Sequence, residues 1–227
     1  MQKKVASSSF TAGPWQRAWS SLAHVRRAVN FTELVRTRRM TRSFAQTPVP
    51  RQIIDNCVSL ALTSPSAGKS QGWNLVMLEG EQTSRYWDIT FPVNRREGFA
   101  FPHLFHAPLL FLVLADPHTY LQRYSEPDKA ATGLGESQDA WVAPYWTIDA
   151  SFATMTFMLA LHDAGLGALF FAHSDEDELR REFSLPDDVV VLGTLAVGYE
   201  SEVPATPGRS ARRPARTVDS VIRLERW

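Results

Sequence analysis

Residues 148–167, IDASFATMTFMLALHDAGLG, constrain the fold more than any other stretch. Their apolar side chains fall into two stripes at helical spacing. Ile148, Phe152, Met155 and Leu159 form one; Ala153, Phe157, Ala160 and Ala164 form the other. A helix that is apolar nearly all round has no face for water, so a core or a second subunit must cover both sides. Asp149 and Asp163 enclose too few residues for a bilayer span, and Gly165 supplies a C-terminal stop.

Shorter elements surround it. FTELVRTRR reads as a helix with Thr32 as its N-cap, ending near Arg39. VPRQIIDNCVSLALTS carries Ile53, Cys57 and Leu60 on one helical face and stops at Ser64-Pro65. Residues 74–80 (NLVMLEG), 168–173 (ALFFAH) and 189–200 (VVVLGTLAVGYE) read as strands, and QTSRYWDIT as a weaker helix. The unbroken run APLLFLVLAD, 107–116, has the pattern of a central strand buried on both faces. SDEDELRREFSL reads as a helix capped by Ser174 or Asp175. Residues 117–146 form a long excursion, a lid or partner-contacting arm. The order of elements gives an α+β fold without strict βαβ alternation.

At 227 residues the chain fits one domain, and its 24 Lys plus Arg balance its 24 Asp plus Glu. No net charge draws it to nucleic acid or membrane, so an anion would have to be held by a local cluster. The single cysteine, Cys57, excludes an internal disulfide and points to a reducing, cytoplasmic setting, where it serves as a buried small hydrophobe. The histidines lack zinc-site spacing, so no metal is expected. Seven Trp and thirteen Phe imply a large aromatic core or an aromatic-lined pocket. Residues 1–30 lack Asp and Glu and read as an extension, flexible or helical over 16–29, ahead of one domain over 31–227.

The stretch SPSAGKSQGW, 64–73, ends like a phosphate-binding P-loop in Gly68-Lys69-Ser70. A P-loop needs a first glycine where Thr63 stands, with a strand before the loop and a helix after it. Here the order is reversed, which excludes that reading. Two arginine clusters are better anion ligands: Arg36, Arg38, Arg39 and Arg42 in RTRRMTR, and Arg209, Arg212, Arg213 and Arg216 in RSARRPAR.

Taken together these segments resemble the FMN-dependent nitroreductase family. RRMTRSF (38–44) is similar to its R-R-S-x-R-x-F signature, and SPSAGKSQGWNLVML (64–78) to its P-S-A-x-N-x-Q-P-W loop and strand. DAGLGALFFA (163–172) and LGTLAVGYE (192–200) are similar to its A-x-G-L-G and I-A-V-G-Y segments. The resemblance implies a three-layer fold, with a mixed central sheet flanked by helices, in an intertwined homodimer with two FMN sites. It implies that Arg38, Arg39, Met40 and Arg42 of one subunit reach the FMN, with Arg42 stabilising charge at ring atoms N1 and O2. Arg212 or Arg213 would complete the phosphate cage. Pro65, Ser66, Ala67, Lys69 and Gln71 of the other subunit would line the ring, and Phe171 and Ala172 would face its reactive edge; His173, at a strand end, takes either a surface role or a place near that edge. Tyr145 and Trp146 are further candidates for lining the substrate pocket.

The implied activity is NAD(P)H-driven two-electron reduction of a nitroaromatic, quinone or similar electron-poor small molecule, with hydride entering and leaving at flavin N5 in ping-pong order. No side chain need act as nucleophile or general acid. The same fold leaves two alternatives: a flavin-sequestering protein without turnover, and an enzyme of dehalogenation or flavin fragmentation. Three departures mark this chain: Met40 for the signature serine, Lys69 for the loop asparagine, and Gly72 for its proline.

Overall fold

The computed structural model describes residues 30–226. The expected extension, with its helix over 16–29, lies outside the described residues apart from Asn30. Helix α1, Phe31–Thr37, belongs to a compact unit ending at Thr37; a second unit begins at Arg38 and holds the sheet, the other helices and the tail. Asn30 caps α1, its Oδ1 accepting from Thr32 N at 2.8 Å. Thr32 therefore sits inside the first turn, because Asn30 offers the same cap chemistry two residues earlier.

Four strands make the sheet: β1 Trp73–Glu79, β2 Leu109–Ala115, β3 Gly167–Phe171 and β4 Val190–Gly198. They lie in the order β1-β2-β4-β3, and all three ladders are antiparallel. A parallel link comes from outside them, an isolated bridge between Met40 and Ala168 on β3. The strand pattern explains the layering. On β2, Leu109, Phe111, Val113 and Ala115 enter one core, while Leu110, Leu112 and Leu114 enter another. Successive side chains of a strand point to opposite faces, so an unbroken apolar strand must be covered twice.

The first face is covered by α2 (Arg51–Ala61), α4 (Pro117–Tyr124) and α5 (Tyr145–Asp163). The second is covered by α3 (Glu81–Thr90), α6 (Glu176–Glu182) and a phenylalanine-rich segment after α3. This is the three-layer arrangement the resemblance implies.

Helix α5 answers the opening constraint in two halves. Ala153, Phe157 and Ala160 are buried against the sheet. In the outer stripe Phe152 is 49% exposed and Met155 41%. A Schellman ending closes the helix: Gly165 N–H donates to His162 O and Leu166 N–H to Leu161 O, both at 2.9 Å, with Gly165 at φ +81°. Asp175 stands at the N-cap of α6 but makes no side-chain cap bond there, and Ser174 instead donates to Thr90 O at 2.9 Å.

The excursion after β2 is packed rather than loose. It begins with α4, started by Asp116, whose carboxylate accepts from His118 N–H. Trp141 is buried, with Nε1 donating to Leu134 O at 2.8 Å, and Tyr120 stands edge-on to both Trp141 and Trp146. These rings belong to the first core. Trp146 is thus core, while Tyr145 rests at the surface against Trp141. Cys57 is also buried there, and burial, aided by Asp163, raises its thiol pKa to about 11.

Candidate functional site

The segment 38–44 is pinned along one edge of the sheet. Thr41 N–H donates to Ala168 O at 2.9 Å, Phe44 pairs with Glu200, and Ala45 N–H donates to Tyr199 O at 2.9 Å. Phe44 and Thr41 point inward and are buried. Gly167 permits this approach, because a Cβ there would stand 2.6 Å from Thr41 Oγ1.

The arginines of this segment divide by task. Arg39 forms a two-pronged ion pair with Glu200, which also accepts from Thr41 Oγ1 at 2.7 Å. Arg39 and Thr41 hold the Glu200 carboxyl below its ordinary range, outweighing burial. Arg38 is half-buried, and its Nη1 is a buried donor without a partner among the described residues. Arg42 reaches back to Met40 O at 3.1 Å and lies over the Phe101 ring at 5.4 Å. Met40 is itself 37% exposed.

The basic tail returns to this segment. Ser43 Oγ donates to Val203 O at 2.7 Å, and a Cβ built on Gly208 would lie 3.4 Å from Arg42 Cζ. Arg212 and Arg213 follow as exposed side chains at the end of a short 3₁₀ turn.

Arg42, Phe171 and Ala172 all line a cavity of ≈ 460 Å³ on the second face of the sheet. Its walls are aromatic. Phe171 stacks on Trp87 at 5.7 Å with planes 5° apart, and Phe105 meets Trp87 edge-on at 5.0 Å. Phe91, Phe99 and Phe105 pack against one another at 4.7 to 5.5 Å. Arginines brace this roof: Arg95 lies over Phe91, and Arg96 lies over Phe105 while donating to Phe91 O at 2.8 Å. His173 lines the same cavity; its Nε2 is 3.4 Å from Glu176 Oε2, and its Nδ1 is buried without a partner among the described residues. The sequence reading missed the roof over 91–105. Its signal was there, four phenylalanines with Arg95 and Arg96, but at no regular period.

The loop 64–72 sits elsewhere, against α4 and α5 on the first face. Pro65, Ser66 and Gln71 line a small cavity of ≈ 20 Å³ with Trp73, Tyr120 and Asp149. Asp149 Oδ2 accepts from Ala67 N–H at 2.8 Å and from Tyr120 Oη at 2.9 Å. Burial first, then Asp149, raises the Tyr120 phenol well above its usual value. Arg123 Nε donates to Gly68 O at 2.8 Å. Gly68, Lys69 and Gln71 all have φ near +60°, an uncommon left-handed conformation for the two non-glycine residues. Ser66 Oγ closes the turn by accepting from Gln71 N–H at 3.1 Å, and Lys69 is exposed. Neither cavity is lined by both the 38–42 arginines and this loop.

Comparison with known proteins follows the same lines. The family model named Nitroreductase family matches residues 35–199. A Methanothermobacter thermautotrophicus protein, whose name pairs NADH dehydrogenase with NAD(P)H nitroreductase, is 26% identical over 199 residues, 86% of either chain. Iodotyrosine deiodinase 1 of Sus scrofa is 25% identical over 245 residues, covering 93% of this chain and 78% of the deiodinase. Among solved structures, a protein of Exiguobacterium sibiricum in complex with FMN superposes with a TM-score of 0.68 at 16% identity, covering 88% of this chain and 99% of its own.

Proposed function

Since the chain belongs to the nitroreductase family, we propose that it is an FMN-dependent oxidoreductase that takes electrons from NAD(P)H and delivers them to an electron-poor small molecule. The observation that carries this reading is the buried Nη1 of Arg38, left without a partner among the described residues on the segment that also bears Arg42. A buried guanidinium donor is expected to meet an acceptor, and a phosphate supplies charge-assisted bonds of about 1.5–3 kcal/mol each. The aromatic and apolar surface at Phe171 and Ala172 fits a flat heteroaromatic ring, and Arg42 stands where positive charge would meet ring oxygen. FMN, when bound, supplies the hydride chemistry.

The protein's own share is binding and orientation. Arg38, with Arg212 or Arg213, holds the phosphate. Arg39 keeps the segment on the sheet through Glu200, which takes its Nε and one Nη2 donor, and reaches the flavin only with the N–H groups that remain. The loop Pro65–Gln71 covers the ring from a second subunit. Two observations support a homodimer. The loop and the arginines do not share a cavity within one chain, and Phe152, Met155, Leu60 and Leu62 leave apolar surface exposed beside the loop. Exposed apolar patches of this kind mark association surfaces.

A second reading has its own support. The similarity to iodotyrosine deiodinase over most of the chain favours reductive dehalogenation within the same cofactor chemistry. A halogenated phenol in the acceptor panel separates the two. FMN titration tests the cofactor assignment: Arg38→Ala should weaken FMN binding about 10- to 100-fold. Equal binding by the variant would contradict the role given to Arg38.

A further inference from the structure

Three buried side-chain donors or acceptors lack a partner among the described residues: Arg38 Nη1, Trp87 Nε1 and His173 Nδ1. Two of these three, Trp87 and His173, line the aromatic cavity. Trp87 is 5% exposed, and the His173 side chain 8%. Buried polar atoms are nearly always paired, so two orphans on one cavity point to a partner that enters it.

The cavity defines that partner. Its ≈ 460 Å³ lies within the range of about 300–1,000 Å³ typical of small-molecule sites. The stacked Trp87–Phe171 pair and the Phe91–Phe99–Phe105 cluster offer flat faces and edges. Water would satisfy the two nitrogens but leave these rings wet, whereas an aromatic ring covers them. Among the described residues no acidic side chain lines the cavity, and Arg42 and Arg95 do.

The two nitrogens narrow the choice. An indole N–H only donates. Glu176 Oε2 lies 3.4 Å from His173 Nε2, and the tautomer that donates to it leaves Nδ1 as an acceptor. An aromatic hydroxyl accepts and donates, and so suits either nitrogen. Thr90 and Ser174 add no competing donors, since their hydroxyls already donate to Tyr86 O and Thr90 O.

We propose that this chamber is a binding site for a hydroxylated aromatic ring, with the ring against the phenylalanine roof and its hydroxyl hydrogen-bonded to Trp87 or His173. The site goes beyond the flavin reading, although Arg42, Phe171 and Ala172 border both.

Phenol and toluene, of nearly the same shape, are the probes, titrated by NMR into the protein as purified. Phenol should bind about tenfold more tightly than toluene, the worth of one buried hydrogen bond. Trp87→Phe keeps a ring and removes the N–H; His173→Phe removes Nδ1. At least one of these variants should lose most of the phenol preference while keeping toluene affinity. Should Trp87→Phe fail to fold, His173→Phe and the wild-type comparison carry the test. Equal binding of phenol and toluene, an unchanged preference in the folded variants, or release of bound flavin by phenol would each overturn the proposal. Absence of FMN from the protein would sink the flavin reading and leave the phenol–toluene comparison intact.

Discussion

Asp149, on the long central helix, holds the backbone N–H of Ala67 at 2.8 Å, and the same carboxylate oxygen takes the Tyr120 hydroxyl at 2.9 Å. One buried side chain thus ties the loop 64–72 to both helices beneath it. Asp149→Ala removes the acceptor and leaves both the Ala67 N–H and the Tyr120 hydroxyl without it. It should lower stability by about 1–3 kcal/mol in urea unfolding. Tyr120→Phe should cost less, because it removes a donor and leaves Ala67 paired.

Gly72 explains a departure from the family pattern. A Cβ at this position would stand 2.5 Å from Thr119 Oγ1 and 2.6 Å from Asp116 O. The proline of the related motif has no room beside α4. Gly72→Ala should destabilise the protein by about 1–3 kcal/mol, and Gly72→Pro by more. Thermal unfolding checks both, and an unchanged midpoint for Gly72→Pro would show that the loop moves off α4 freely.

Lys69 sits at φ 60° with its side chain exposed. Asparagine adopts this conformation more readily than lysine. Lys69→Asn should therefore raise stability by about 0.5–1 kcal/mol. On the flavin reading the variant keeps FMN and shifts acceptor or nucleotide preference, which steady-state kinetics with paired acceptors would reveal.

Glu200 links stability to acid pH. Arg39 and Thr41 lower its pKa from the ordinary value of 4.5. The folded state favours the carboxylate, so its contribution is present above pH 4.5 and is lost as pH falls through the lowered folded value. Tyr86 works at the other end. Burial raises its pKa to about 12, so its contribution is present below the unfolded value of 10 and fades as pH rises toward 12. Glu200→Gln should flatten the acid limb of a stability–pH profile and leave the alkaline limb alone. Tyr86→Phe should do the reverse.

The elements that a residue period can reveal were legible in the sequence. The run 107–116 became the doubly covered strand β2, and in α5 the stripe of Ala153, Phe157 and Ala160 became a buried face, whereas Phe152 and Met155 of the other stripe, expected to be covered, are exposed. Gly165 ended the helix as expected, because only a left-handed residue fits there cheaply. Contacts between distant segments were not legible. Nothing local in RRMTRSF says that Arg39 will pair with Glu200, 161 residues away. Asp149 reads as a charge interrupting an apolar helix until Ala67 and Tyr120 are seen beside it. The phenylalanine roof was hidden because 3₁₀ turns and loops over 91–106 carry no period to detect.

The central claim is that this chain binds FMN and passes electrons through it. The most direct measurement is anaerobic mixing of the FMN-loaded protein with NADH or NADPH, followed by an electron-poor acceptor. The account predicts that the yellow flavin absorbance bleaches with at least one nucleotide and returns when acceptor is added. Flavin that stays yellow with both nucleotides would contradict it and leave a protein that only holds its cofactor.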